Sequence, residues 1–174
     1  MSRLAFRLGS RTPFVLLAAA IATGVLATAA LAAGFTLSVK KNAKVTNTST
    51  GKSSHANLDV TSKGFAVYML TGDSRTHPQC TSKKCLQFWP PLTVKSAKKL
   101  THASAVKGKL GTWKRKGFIQ VTLNGHPLYT FLGDAKPGVA TGEGIANFGG
   151  VWHPMLASGK AFAASSGSGG GGGY

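Results

Sequence analysis

The chain has 174 residues, of which 21 are Lys or Arg and only four Asp or Glu, giving a formal charge of +17. That length supports one domain, or two small halves around one core, once the ends are set aside. Four acids leave few options for paired-carboxylate catalysis, and the cationic excess favours polyanions such as acidic cell-wall polymers or anionic lipid headgroups. A solvated basic surface that only keeps the protein soluble is the plainer reading of the same charge.

The N-terminus, MSRLAFRLGSRTPF, carries Arg3, Arg7 and Arg11 and runs into an uncharged, alanine-rich apolar stretch. Residues 1–32 thus read as a signal peptide with small residues at Ala30-Leu31-Ala32 for cleavage, or as an uncleaved anchor. Either way the remainder is exported. Residues 33–54 follow as a polar lead-in or linker, in which only FTLSVK, Phe35 to Lys40, alternates like a short strand. The structured domain is expected over 55–163, before a flexible Gly/Ser-rich tail at 164–174.

Within 55–163 the chain repeats itself. Residues 57–73, NLDVTSKGFAVYMLTGD, align without a gap on 118–134, FIQVTLNGHPLYTFLGD, so that Val60, Thr61, Gly64, Tyr68, Gly72 and Asp73 match Val121, Thr122, Gly125, Tyr129, Gly133 and Asp134. Trp89-Pro90-Pro91 corresponds to Trp152-His153-Pro154 two residues out of that register. Repeat one spans 55–92 and repeat two 117–157. Each reads as a strand, a glycine turn, a second strand ending in Gly-Asp, an irregular loop and a Trp-x-Pro closure.

In chain order, Ser62-Lys63-Gly64 is the weaker of two hairpin turns. Export makes a disulfide between Cys80 and Cys85 the expectation, with a metal site using His77 and both cysteines as the alternative. Lys83 to Phe88 suits one helical turn. The connecting segment, residues 92–117, holds eight basic residues and no acid. It supplies a candidate basic patch of Lys98, Lys99, Lys114, Arg115 and Lys116. In the second half Ile119, Val121 and Leu123 alternate with Gln120 and Thr122, and Asn124-Gly125 is a strong two-residue turn. Pro127, lacking a backbone donor, predicts an edge strand. The glycine-rich stretch DAKPGVATGEGIANFGG predicts an irregular loop. The expected fold is mainly β, two hairpin-centred repeats packed as one small pseudo-twofold domain.

The doubled Tyr-x4-Asp spacing, Tyr68 to Asp73 and Tyr129 to Asp134, occurs with a cysteine pair leading to Trp-Pro-Pro. A late segment carries Pro137-Gly138, Gly142, Gly144, Phe148-Gly149-Gly150 and Trp152. Together these resemble a bacterial secreted-repeat family of unknown function, whose members are often described as predicted lipoproteins with a Tyr-x4-Asp motif. The resemblance covers Leu58 to Ala157. It implies an exported envelope protein and supplies no catalytic residue. The lipid anchor does not carry over, because no cysteine follows the apolar run.

Asp73 and Asp134 suit loop organisers whose carboxylates collect loop N–H groups, with Tyr68 and Tyr129 packing across the sheet and Trp89 and Trp152 anchoring the core. Trp113 is a further core candidate. Pairing the two aspartates as acid and base would need both in one cleft. Met69, His77, His126, His153 and Met155 include the ligand types copper uses, although the methionines also suit a core. The expectation is an exported, envelope-associated, non-enzymatic module of unknown molecular activity that contacts anionic envelope polymers or a membrane surface. It takes no cofactor, no metal and no specific nucleic acid. An extracytoplasmic redox or metal-handling accessory role is the alternative.

Overall fold

The structure, a computed structural model, describes residues 35–163. The signal or anchor segment and the Gly/Ser tail lie outside the described residues. Among the described residues no helix is long and apolar enough to cross a membrane.

The fold is mainly β. Its strands are β1 (Leu37–Asn47), β2 (Ser53–Thr61), β3 (Tyr68–Leu70), β4 (Thr93–Val94), β5 (Leu110–Arg115), β6 (Phe118–Leu123), β7 (His126–Pro127), β8 (Val139–Glu143), β9 (Ala146–Asn147) and β10 (Gly150–Pro154). One short helix, α1 (Lys83–Phe88), follows β3, and a 3-10 turn covers Ala97–Lys99. Three small sheets result, ordered β2-β1-β8, β3-β10-β9 and β4-β6-β5, with β7 also paired to β6.

Two expectations give way together. The polar lead-in is not a linker, because β1 continues to Asn47 and pairs antiparallel with β2 along its length. Ala43 and Val45 keep the two-residue period and are buried in the core, while Lys41 and Lys44 face water. A bulge between Lys40 and Ala43, with Asn42 at φ 52°, shifts the register there and obscures the alternation. The far half of β1 in turn gives β8 a parallel partner, Lys44 opposite Val139 and Val45 opposite Ala140. The glycine-rich loop is therefore partly strand. Gly142 lies inside β8, where a Cβ would come within 2.7 Å of the Trp89 ring, so only glycine lets the strand approach this closely.

The second predicted hairpin forms, Asn124 (φ 52°) and Gly125 (φ 87°) turning β6 into β7. In the first, Gly64 (φ 82°) makes the turn after β2, but only the bridge of Val60 with Ala66 follows it, because β3 pairs with β10 and not with β2. β6 departs from simple alternation, since Gln120 and Thr122 are buried as well as Val121 and Leu123. β6 pairs with β5 on one edge and with β4 and β7 on the other, so both edges are occupied. The amide of Gln120 is paired at both ends: Arg115 Nη1 donates to its Oε1 at 2.9 Å, and its Nε2 donates to the Leu128 carbonyl at 2.9 Å. Helix α1 occupies the six residues expected. Ser82 caps it by accepting the Cys85 N–H, and Cys85 forms the disulfide with Cys80, both sulfurs buried.

The core has two clusters. One gathers Val45, Leu58, Leu70, the disulfide, Tyr68, Tyr129, Trp89 and Trp152. The other gathers Leu37, Val67, Met69, Val121, Leu128 and Met155.

Candidate functional site

The first constellation is built by strands that pair across the halves. β3 of the first half pairs with β10 of the second, Leu70 opposite Trp152 and Tyr68 opposite Pro154. Conversely, in the second half Thr130 donates to Pro90 O at 2.8 Å and Leu132 to Phe88 O at 2.9 Å. Between them Tyr68 and Tyr129 exchange backbone bonds of 2.8 and 2.9 Å. Trp89 and Trp152 stack at 3.8 Å with planes 5° apart, and each takes a tyrosine on its edge, Tyr68 at 5.4 Å and Tyr129 at 5.1 Å. Phe131 stacks on the outer face of Trp89 at 4.3 Å.

The phenols cross over too. Tyr68 donates to Asp134 Oδ2 at 2.9 Å, and Tyr129 donates to Asp73 Oδ2 at 2.7 Å. Each tyrosine of a Tyr-x4-Asp motif thus serves the aspartate of the other motif. Only the antiparallel meeting of Tyr68 with Tyr129 could have signalled this, and it is a contact between residues 61 positions apart.

Each carboxylate also holds its own loop: Asp73 Oδ1 accepts the Gln79 N–H at 2.8 Å, and Asp134 Oδ1 accepts the N–H and hydroxyl of Thr141, both at 2.8 Å. Burial raises the Asp134 pKa, against the Thr141 and Tyr68 donors that lower it. Both phenols are pushed well above the ordinary tyrosine value. Burial is the largest cause in each; the charge of Asp134 comes next for Tyr68, and the hydrogen bond to Asp73 for Tyr129. These hydroxyls therefore act as fixed donors at any ordinary pH. Chemically the assembly is a set of saturated acceptors.

Removing either phenol should be costly. Tyr129→Phe leaves Asp73 Oδ2 without its donor and is expected to lose about 1.5–3 kcal/mol, the range for hydrogen bonds to charged groups. Tyr68→Phe also strands the Gly142 N–H, which donates to the Tyr68 hydroxyl at 3.2 Å, and should lose about 1 kcal/mol more. Urea midpoints of the two variants check both the size and the order.

The second constellation is the charged surface. All four acids of the chain are buried, Asp59, Asp73, Asp134 and Glu143 being at most 6% exposed. Glu143 sits 2.9 Å from His153 Nδ1. No acidic side chain is therefore exposed, and the accessible charged side chains are Lys and Arg. Of the predicted basic patch, Lys114 and Arg115 line a cleft of about 600 Å³ together with Lys95 and Phe118. Lys98, Lys99 and Lys116 are exposed outside its lining. Arg115 is half-buried and committed to structure: besides Gln120 it donates to Cys80 O at 3.0 Å and lies over the ring of Trp113 at 4.5 Å. Trp113 is accordingly only half-buried, a platform for a guanidinium and not a core anchor.

The other candidates are dispersed. The disulfide takes both thiolates from any site with His77. Met69 and Met155 belong to the second core cluster. Among the described residues no three His, Cys, Asp or Glu side chains gather around a common point. Sequence reasoning passed over Asp59, which is fully buried on β2 with no hydrogen-bond partner for either carboxylate oxygen. Burial raises its pKa to about 7.

In comparison with known proteins, residues 111–155 match the model of a family described as a secreted repeat of unknown function. No curated protein and no solved structure shows a significant match. The matched segment, about a quarter of the chain, carries Tyr129, Asp134 and Trp152 and is similar to that secreted repeat.

Proposed function

We propose that this protein is a non-enzymatic binding module that holds anionic polymers or lipids of the cell envelope through a surface of one charge sign. The observation that carries the proposal is the burial of every acid. The 21 Lys and Arg, less the three arginines of the N-terminal segment, leave 18 cations on the rest of the chain with no exposed carboxylate among them. Solubility alone is served by interspersed charges of both signs, whereas a single-sign field attracts and concentrates a polyanion. The crossed Tyr–Asp pairs support a pseudo-twofold packing of the two repeats. In that packing Asp73 and Asp134 organise loops and the tyrosines lock one repeat to the other. Carboxylates already supplied with donors by their own protein suit that role better than proton transfer to a substrate.

Binding to soluble polyphosphate, followed by titration calorimetry at increasing salt, tests the proposal. Affinity should fall steeply with salt and be lost near 1 M, where charges are screened over about 3 Å. Changing Lys95, Lys98, Lys99, Lys114 and Lys116 together to Gln, with Arg115 left in place to hold Gln120, should weaken binding by about tenfold or more. Affinity indifferent to salt and to these changes would refute a charge-led contact.

A further inference from the structure

The two halves provide an internal comparison at the outer end of the crossed strands. In one position Thr71 donates its N–H to Val151 O at 3.0 Å, and its hydroxyl accepts the Val151 N–H at 2.8 Å. That pair is flanked by β9, since Val151 also lies opposite Ala146. At the matching position of the other crossing, Leu132 takes the place of Thr71 and Phe88 that of Val151, joined by the bond from Leu132 N to Phe88 O. Here the chain has placed two large apolar residues on hydrogen-bonded neighbouring backbones and left both exposed, Leu132 62% and Phe88 42%. Only Phe35 among the other large apolar residues described is comparably exposed.

Leu132 opens onto an apolar recess of about 440 Å³ walled by Phe65, Leu92 and Phe131, with Asp134 and Lys63 also in its lining. Lys84, exposed, precedes Phe88 by four residues on α1 and so shares its helical face. The platform is stiff, because α1 is pinned by the Cys80–Cys85 disulfide and the stretch after Leu132 by the Asp134–Thr141 bonds.

We propose that this face docks onto an anionic lipid bilayer, with Phe88 and Leu132 entering the boundary between headgroups and acyl chains while Lys63 and Lys84 meet lipid phosphates. The inference rests on the basic-surface reading above and assigns it a partner and a face. A hydrated polyanion would be met by the lysines and would gain nothing from two exposed apolar side chains. A membrane interface rewards both, the apolar groups by burial and the cations by attraction to the anionic surface. The only acid in the recess, Asp134, is turned inward onto Tyr68 and Thr141 and does not oppose the approach.

The test uses the full chain with vesicles of phosphatidylglycerol mixed into phosphatidylcholine, vesicles of phosphatidylcholine alone, and soluble polyphosphate, read by amide hydrogen exchange. On the anionic vesicles, exchange should slow over residues 83–88 and 130–133. The Phe88→Ser, Leu132→Ser double variant, whose changes lie on the surface and should leave the thermal midpoint unaltered, should lose that protection and partition about tenfold more weakly. Lys63→Gln with Lys84→Gln should weaken the same protection. Vesicle-bound protein whose 83–88 and 130–133 segments exchange as fast as in solution would overturn the assignment of this face, as would equal protection there by polyphosphate; either result leaves the basic-surface reading standing. Absence of binding to both anionic vesicles and polyphosphate would overturn both.

Discussion

Trp152→Ala is expected to lose about 3–5 kcal/mol of folding stability, the range for emptying a buried aromatic site, against a total of about 5–15 kcal/mol for an ordinary domain. Several losses coincide at this residue. Its ring covers Trp89 and supports the edge of Tyr129, and its indole N–H donates to Asn147 Oδ1 at 2.6 Å. Its backbone lies opposite Leu70, so a collapse of β10 also uncovers β3. Urea denaturation followed by circular dichroism measures the effect. Trp152→Phe keeps a ring on Trp89 and should recover part of the loss while leaving Asn147 without its donor. A cost below about 1 kcal/mol for the alanine variant would show that the paired tryptophans do not hold the halves together.

The second large effect comes from Asp59, and its sign is set by burial. The ordinary aspartate value of 3.8 is raised to about 7 in the fold. The folded state therefore binds a proton that the unfolded chain has released throughout that interval. Stability is greatest below the unfolded value and falls as pH rises from about 4 to about 7. A displacement of about three pH units at about 1.4 kcal/mol each makes the total contribution on the order of 4 kcal/mol. Asp59→Asn removes the titration while keeping the shape. Its urea midpoint should change less than the parent's between pH 4 and pH 8, and at pH 8 it should be the more stable protein. An identical pH slope in both proteins would mean that the carboxylate is solvated or paired in the folded state.

What could be read from the residues was what is local. Asn124-Gly125, the Ser82-capped turn of α1 and the doubled Tyr-x4-Asp spacing each announce themselves within a few positions. The misreadings share one cause, a partner distant in sequence. β1 looked like a linker because its Lys and Asn residues are numerous and the bulge at Asn42 breaks the period. Its worth depends on Ala43 and Val45 meeting a core, and on β8 nearly a hundred residues later. Gln120 looked like the wet side of a strand until Arg115 and the Leu128 carbonyl satisfied its amide. The aspartates were legible as acceptors for their own loops, since Gln79 and Thr141 follow closely in sequence. The crossing of Tyr68 to Asp134 and Tyr129 to Asp73 was not. A gapless repeat shows that two units are alike without showing which unit supplies the partner. The burial of all four acids was likewise beyond composition, which counts charges without placing them.

The crossed strands also bear on how the chain can be made. A polypeptide leaves the ribosome, and any export channel, with its N-terminus first. When residues up to Leu92 have emerged, Tyr68 still lacks the backbone of Tyr129 and the carboxylate of Asp134, Leu70 lacks β10, and Trp89 lacks the ring that will cover it. β1 awaits β8 in the same way. The first half cannot complete its own core, so the cooperative step waits for residues 118 to 154. Until then an exposed set of strand edges and aromatic rings must be kept from strangers by the cations around them and by whatever escorts the chain.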